Sequence, residues 1–257
     1  MRNHPTIAAR QLAHDYFQNR GMESPEAQAD EFLPRIHIYR KTGEWRSDTL
    51  IETALKIVDA QAEFDVDDLV ENYLHAILNI ESLRDYDKAA GSPVFGLTYP
   101  WSREILICDR AVQNLPLYRT SVAHEVGHLI LHGASQEMSP LPYAPGAPKR
   151  PSEETEADEF MIALLAPPNV IKIAVGLAAI RSGLHLSEVW HSANTLRGRR
   201  QWKDYILPRL VDSLCLSRLL LTIQMIKLGV FTEETGEFHK TYALPNRWRR
   251  QPAATAS

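Results

Sequence analysis

The stretch HEVGHLILH, His124 to His132, sets two histidines four residues apart with a glutamate directly after the first. On a helix, residues four apart share a face, with Cβ atoms about 5–6 Å apart. Two imidazoles so placed can reach one divalent cation. Glu125 lies about 100° further round the axis and can reach a water beside that cation. Zinc takes imidazole ligands and, in catalytic sites, keeps one position open for water. A metal acidifies that water and a carboxylate takes its proton, which is hydrolytic chemistry. The plainer reading is a half-buried helix with incidental histidines. Val122, Val126, Leu129, Ile130 and Leu131 argue against it, because they make this a core helix. Buried imidazoles and carboxylates need partners, and a metal supplies one.

A third protein ligand is then required. The metzincin spacing, with a glycine and a third histidine further along, is absent, since Leu131 and Ala134 fill those places. A downstream stretch, SEETEADEFMIALLAP, offers Glu154 and Asp158, four apart and facing the same way. Glu154 suits the metal, while Asp158 suits the second ring nitrogen of a ligand histidine. Glu153, Glu156 and Glu159 project elsewhere on the helical wheel and read as solvated charges. His132 continues the series but drifts about 80° from His124, so it reads as a second-shell or helix-end residue. The other histidines are scattered.

These residues need two helices to hold them. Pro116 suits a first helical turn and Gly133 a position just past a helix end, which predicts a helix over 116–132. Ser152 is a good N-cap, Glu153 and Glu154 suit the positive end of a helix dipole, and Pro167-Pro168 stops the second helix. Between them, five prolines fall from 140 to 151, so 133–151 is a long loop. Upstream, residues 48–74 read as one or two helices and 75–83 alternate like a strand. Residues 92–100 and 103–110 read as two strands around a Tyr-Pro-Trp-Ser turn. Residues 5–20 have helical spacing, and 207–231 suggest two short helices with a turn near Leu216-Ser217.

The whole chain has 257 residues and a net charge of −4. Its charge is uneven. Residues 1–190 hold 17 basic and 27 acidic side chains, and residues 191–257 hold 11 and 5. Arg197, Arg199, Arg200, Lys203 and Arg209 could contact phosphates, but the apolar run over 214–231 favours a packing helix pair with a basic rim. Cys108 and Cys215 make no disulfide framework, which fits a reducing cytosol. The N-terminus lacks a signal-peptide core, and no apolar run is long enough for a membrane span.

Both site motifs together resemble the ImmA/IrrE family of metallopeptidases. RTSVAHEVGHLILH (119–132) is similar to that family's Arg-x-x-x-Ala-His-Glu-x-Gly-His helix. EETEADEFMIALLAP (153–167) is similar to its Glu-x-x-Ala-Asn/Asp-x-Phe-Ala helix, which closes on a proline. Met161 departs from the usual alanine, and Ala166 from the common methionine before the proline. The resemblance implies zinc held by His124, His128 and Glu154, with Glu125 as base; another divalent ion such as Mn2+ is the alternative occupant. It also implies an α+β fold, a small mixed or antiparallel sheet packed on a zincin-type pair of helices. The expected organisation is a helical extension (1–50), a metallopeptidase core (51–168), a helical C-terminal region (169–246) and a flexible tail (247–257). The implied substrate is a helix-turn-helix transcriptional repressor in the cytoplasm. Tyr143 and His132 are candidates for stabilising the oxyanion. The alternative is a metal-containing regulator of toxin–antitoxin type that binds a repressor or DNA without cutting.

Overall fold

In a computed structural model of the chain, the structure describes residues 4–42, 48–90, 93–133 and 152–241. It is mostly helical, with one three-stranded mixed sheet, an α+β architecture. Strands β1 (Ile77–Glu81), β2 (Gly96–Tyr99) and β3 (Glu104–Cys108) lie in the order β1-β3-β2. The β2–β3 hairpin is antiparallel, as two strands around the Tyr-Pro-Trp-Ser turn predict, with Gly96 opposite Ile107 and Tyr99 opposite Glu104. The run at 75–83 supplies β1, which pairs parallel to β3. Among the described residues, both β1 and β2 are therefore edges of the sheet.

Helices α1 (Pro5–Asn19), α2 (Pro25–Thr42) and α3 (Asp48–Ala62) precede the sheet. The predicted helical run 48–74 is broken after α3. Asp65 accepts hydrogen bonds from the backbone of Asp67 and Asp68, capping a short helix, α4 (Val66–Asp68), that runs into a π-turn, Leu69–Tyr73. Helices α5 (Arg84–Ala90) and α6 (Asp109–Val112) are short connectors.

The two site helices are α7 (Leu115–His132) and α8 (Ser152–Leu165), within a residue of the expected bounds. The Asn114 side chain accepts from the Leu117 N–H and caps α7. Val122, Val126 and Leu129 are buried as expected, but Ile130 is 39% exposed and faces away from the core. The two helices pack closely at Gly127. A Cβ there would meet Ala157 Cα at 3.1 Å and Ala157 O at 3.2 Å, so any larger residue would push α8 outward.

The end of α8 is held by side chains from distant segments. Its last carbonyls have no partner within the helix. Gln61 Nε2 donates to the carbonyls of Leu164 and Leu165, and Gln224 Nε2 to that of Ala166. Arg119, on α7 and 4% exposed, holds the other helix. Its guanidinium donates to the carbonyls of Gln61, Phe64, Leu214 and Cys215. The site helices are thus fixed from both sides by buried hydrogen bonds.

Beyond α8 the chain continues as α9 (Pro168–Arg181), α10 (Leu186–His191), α11 (Leu196–Gln201), a π-turn (Trp202–Ile206), α12 (Leu207–Leu214), α13 (Arg218–Lys227) and α14 (Glu233–Thr241). The break expected near Leu216 is real: Cys215 takes φ 50, and Ser217 caps α13. One apolar core runs through α1, α3, α7, α8, α9 and α12–α13. The N-terminal and C-terminal segments therefore share the core of the site helices. Among the described residues, no single helix is long and apolar enough to cross a membrane.

Candidate metal centre

Helix α7 presents His124 and His128 on one face, as the four-residue spacing requires, and α8 brings Glu154 against both. His124 Nε2 lies 3.1 Å from His128 Nε2. Glu154 Oε2 is 3.3 Å from His124 Nε2, and its Oε1 is 3.3 Å from His128 Nε2. These three side chains form a cluster that could hold a metal ion. A tetrahedral ion with ligands at about 2.0–2.1 Å places them about 3.3–3.4 Å apart. The His124–His128 spacing is near that value, and a Glu154 oxygen stands at that distance from each histidine, a different oxygen for each. Glu154 is where α8 was expected to bring it.

The electrostatics favour a cation here. Burial works to lower the pKa of His124, but hydrogen bonds to Asp158 and Glu154 and the charges of Glu125 and Asp158 outweigh it, pushing it up to about 10. Burial works to raise the Glu154 carboxyl, and hydrogen bonds from His124 and His128 outweigh that, holding it well below the usual carboxylate range. Without an ion, a proton on His124 takes part of the ion's place.

Asp158 accepts from His124 Nδ1 at 3.0 Å, the second-shell place read from its spacing. This fixes the ring so that Nε2 faces the cluster. His132 is buried and stands behind His128, its Nδ1 3.2 Å from His128 Nδ1. Its Nε2 lies 2.9 Å from Glu156 Oε2. The expectation for Glu156 is thus corrected: it pairs with a buried histidine and is not a freely solvated charge. The helical wheel fixes directions about one axis and cannot say where the end of α7 passes.

Glu125 is 6% exposed and held by the sheet edge. Thr98 Oγ1, on β2, lies 2.7 Å from Glu125 Oε2 and 3.0 Å from the Glu125 backbone carbonyl, and its single proton is shared between these two acceptors. Gly96 leaves room for this carboxylate, because a Cβ there would lie 2.6 Å from Glu125 Oε1. Neither Gly96 nor Thr98 was singled out from the sequence. Only the edge-strand pairing could have flagged them.

The cluster opens into a cleft of about 460 Å³ between β2, α7, α8 and α13. Its walls are largely apolar, with Phe95, Leu97, Met161, Leu220 and Ile223 beside the histidines. A second apolar cavity, about 400 Å³, lies between α2, α3, α9 and α10. It contains none of the clustered ligating side chains, so the chemistry belongs to the first. Tyr143 and most of the Pro-rich loop lie outside the described residues. Of the basic residues read as phosphate contacts, Arg199 is paired with Glu234 at 2.8 Å. Arg197 and Arg200 are exposed. No family model, curated protein or solved structure matches the chain.

Proposed function

We propose that this chain is a zinc-dependent endopeptidase whose α7 and α8 form a zincin-type helix pair, in the manner of the ImmA/IrrE family it resembles. One observation carries the reading: His124, His128 and Glu154 bring one ligand atom each within 4.8 Å of one another, with a separate carboxylate, Glu125, held by Thr98 in the same cleft. Two imidazoles and one carboxylate suit zinc better than magnesium or calcium, which prefer oxygen alone.

His124, His128 and Glu154 would hold the ion. Bound there, it supplies Lewis acidity, which acidifies water and polarises a carbonyl. Glu125 accepts the proton of the attacking water and passes it to the leaving amine. Thr98 keeps that carboxylate aimed by occupying Oε2. Asp158 keeps the His124 ring oriented. β2, as a sheet edge, offers unpaired backbone groups to an extended peptide lying in the cleft. The apolar walls exclude water around the reacting bond. A helix-turn-helix repressor as substrate rests on the resemblance alone.

The test is incubation with the helix-turn-helix protein encoded nearest to this chain, with and without a chelator. Cleavage is expected from wild type, is lost with chelator and returns with zinc. Glu125→Gln should slow it about 10²–10⁴-fold while zinc binding persists. A Glu125→Gln protein that cuts as fast as wild type removes Glu125 as the base. Salt-dependent DNA binding with no proteolysis by zinc-loaded wild type would replace the peptidase reading with the regulatory one.

A further inference from the structure

We infer that Glu156 and His132 form an ordered hydrogen-bond relay that selects the tautomer of His128 able to bind metal. The inference rests on the metal-centre reading above and extends it to two residues outside the ligand set. Its ground is a chain of three contacts with one consistent arrangement of protons.

His128 turns Nε2 toward His124 and Glu154, so Nε2 is its ligating atom. An imidazole ligating through Nε2 must carry its proton on Nδ1. That Nδ1 lies 3.2 Å from His132 Nδ1. Two facing ring nitrogens form a hydrogen bond only if one donates and the other accepts. With His128 donating, His132 Nδ1 must be bare, and the proton of neutral His132 then sits on Nε2. That atom meets the Glu156 carboxylate at 2.9 Å, and an ionised carboxylate can only accept. Each contact therefore dictates the next, from Glu156 through His132 to His128.

The opposite order is self-defeating for metal binding. If His132 donated from Nδ1, His128 would accept on Nδ1 and carry its proton on Nε2. That proton would occupy the position of the ligating lone pair. Glu156 requires a donor from His132 Nε2, and an ion on His128 Nε2, which leaves the His128 proton on Nδ1, makes His132 Nδ1 the acceptor. The His132 side chain is 6% exposed and the Glu156 side chain 29%, so water competes little for the inner contact. The two ligand histidines are thus oriented by different means. His124 meets its carboxylate, Asp158, directly, and His128 meets one through an intervening ring.

The test reads tautomers and affinity, not turnover. Long-range proton–nitrogen NMR of ¹⁵N-histidine protein loaded with zinc should show His128 protonated on Nδ1 and His132 on Nε2. Zinc affinity, measured by competition with a chromophoric chelator, should fall about 10–100-fold in Glu156→Ala and in His132→Phe. Glu156→Gln retains an acceptor oxygen and should recover part of that loss, which a mere packing role would not explain. The relay is overturned if wild-type His132 carries its proton on Nδ1. It is also overturned if Glu156→Ala and His132→Phe, folded by circular dichroism, bind zinc within twofold of wild type. Wild-type protein with no zinc affinity would instead sink the metal-centre reading, and the relay with it, whereas zinc-loaded protein with the wrong tautomers sinks the relay alone.

Discussion

Gly96→Ala is a demanding test of how the sheet edge serves the site. The new Cβ would lie 2.6 Å from Glu125 Oε1, 2.7 Å from Cγ and 2.9 Å from Cδ. Ordinary contact begins at 3.4 Å, so the carboxylate must retreat by about 0.8 Å. It cannot retreat freely, because Thr98 holds Oε2 at 2.7 Å and the side chain is buried. Overpacking of this kind costs about 1–3 kcal/mol, and a movable side-chain end puts it near the lower figure. The melting temperature should then drop by about 2–4 °C. The reaction should suffer more. A displacement near 1 Å at a reacting group costs about 100-fold in rate, or about 2.7 kcal/mol of barrier. His124, His128 and Glu154 are untouched, so zinc affinity should stay within about threefold. The assay pairs chelator competition with cleavage of the substrate found for wild type. A Gly96→Ala protein that loads zinc and cleaves within threefold of wild type would refute the claim that β2 positions Glu125.

Two further perturbations probe the scaffold and the charges. Arg119→Met would remove the guanidinium donor from four backbone carbonyls, those of Gln61, Phe64, Leu214 and Cys215, of which Gln61 keeps the Phe64 N–H. At about 1–3 kcal/mol per unpaired buried group, partly relieved by water, we expect a loss of about 3 kcal/mol. Urea unfolding reads it, and an unchanged midpoint would show that Arg119 does not fasten α7. The metal-free protein should also lose stability as pH rises. The pKa of His124 is raised to about 10 from 6.5, so its contribution is full below about 6.5 and disappears by about 10. Glu154 is lowered, so its contribution is present above its ordinary value of 4.5 and is lost only as pH falls below that. Zinc binding near pH 7 should therefore release about one proton, visible as a buffer-dependent heat in calorimetry. A heat independent of the buffer would contradict the raised His124.

How much of this was legible in the sequence depends on the range of the interaction. Spacing along one helix is local geometry, so the shared face of His124 and His128 followed from the four-residue interval. The same rule gave the common face of Glu154 and Asp158. Helix bounds followed from Pro116 and Gly133 and from Ser152 and Pro167-Pro168, because capping and proline sterics act within one turn, although the Asn114 cap itself was not read. The β2–β3 hairpin was readable from two strand-like runs around a Tyr-Pro-Trp-Ser turn, and the break near Leu216-Ser217 from the change in pattern.

Tertiary structure decided everything that crosses between elements. Glu156 reads as solvent-facing on its own helix, yet the end of α7 brings His132 onto it. Gly96 and Thr98 carry no chemical signature, and only the register and placement of β2 against α7 put them on Glu125. Arg119, Gln61 and Gln224 find backbone carbonyls on remote segments, from 55 to 104 residues away. Their partners are backbone atoms, which every residue has, so no pattern of side chains announces them. The sequence by itself determined which groups share a face, because helical periodicity is a property of neighbours. The packing of helices and sheet determined which faces meet, because that depends on the whole core at once.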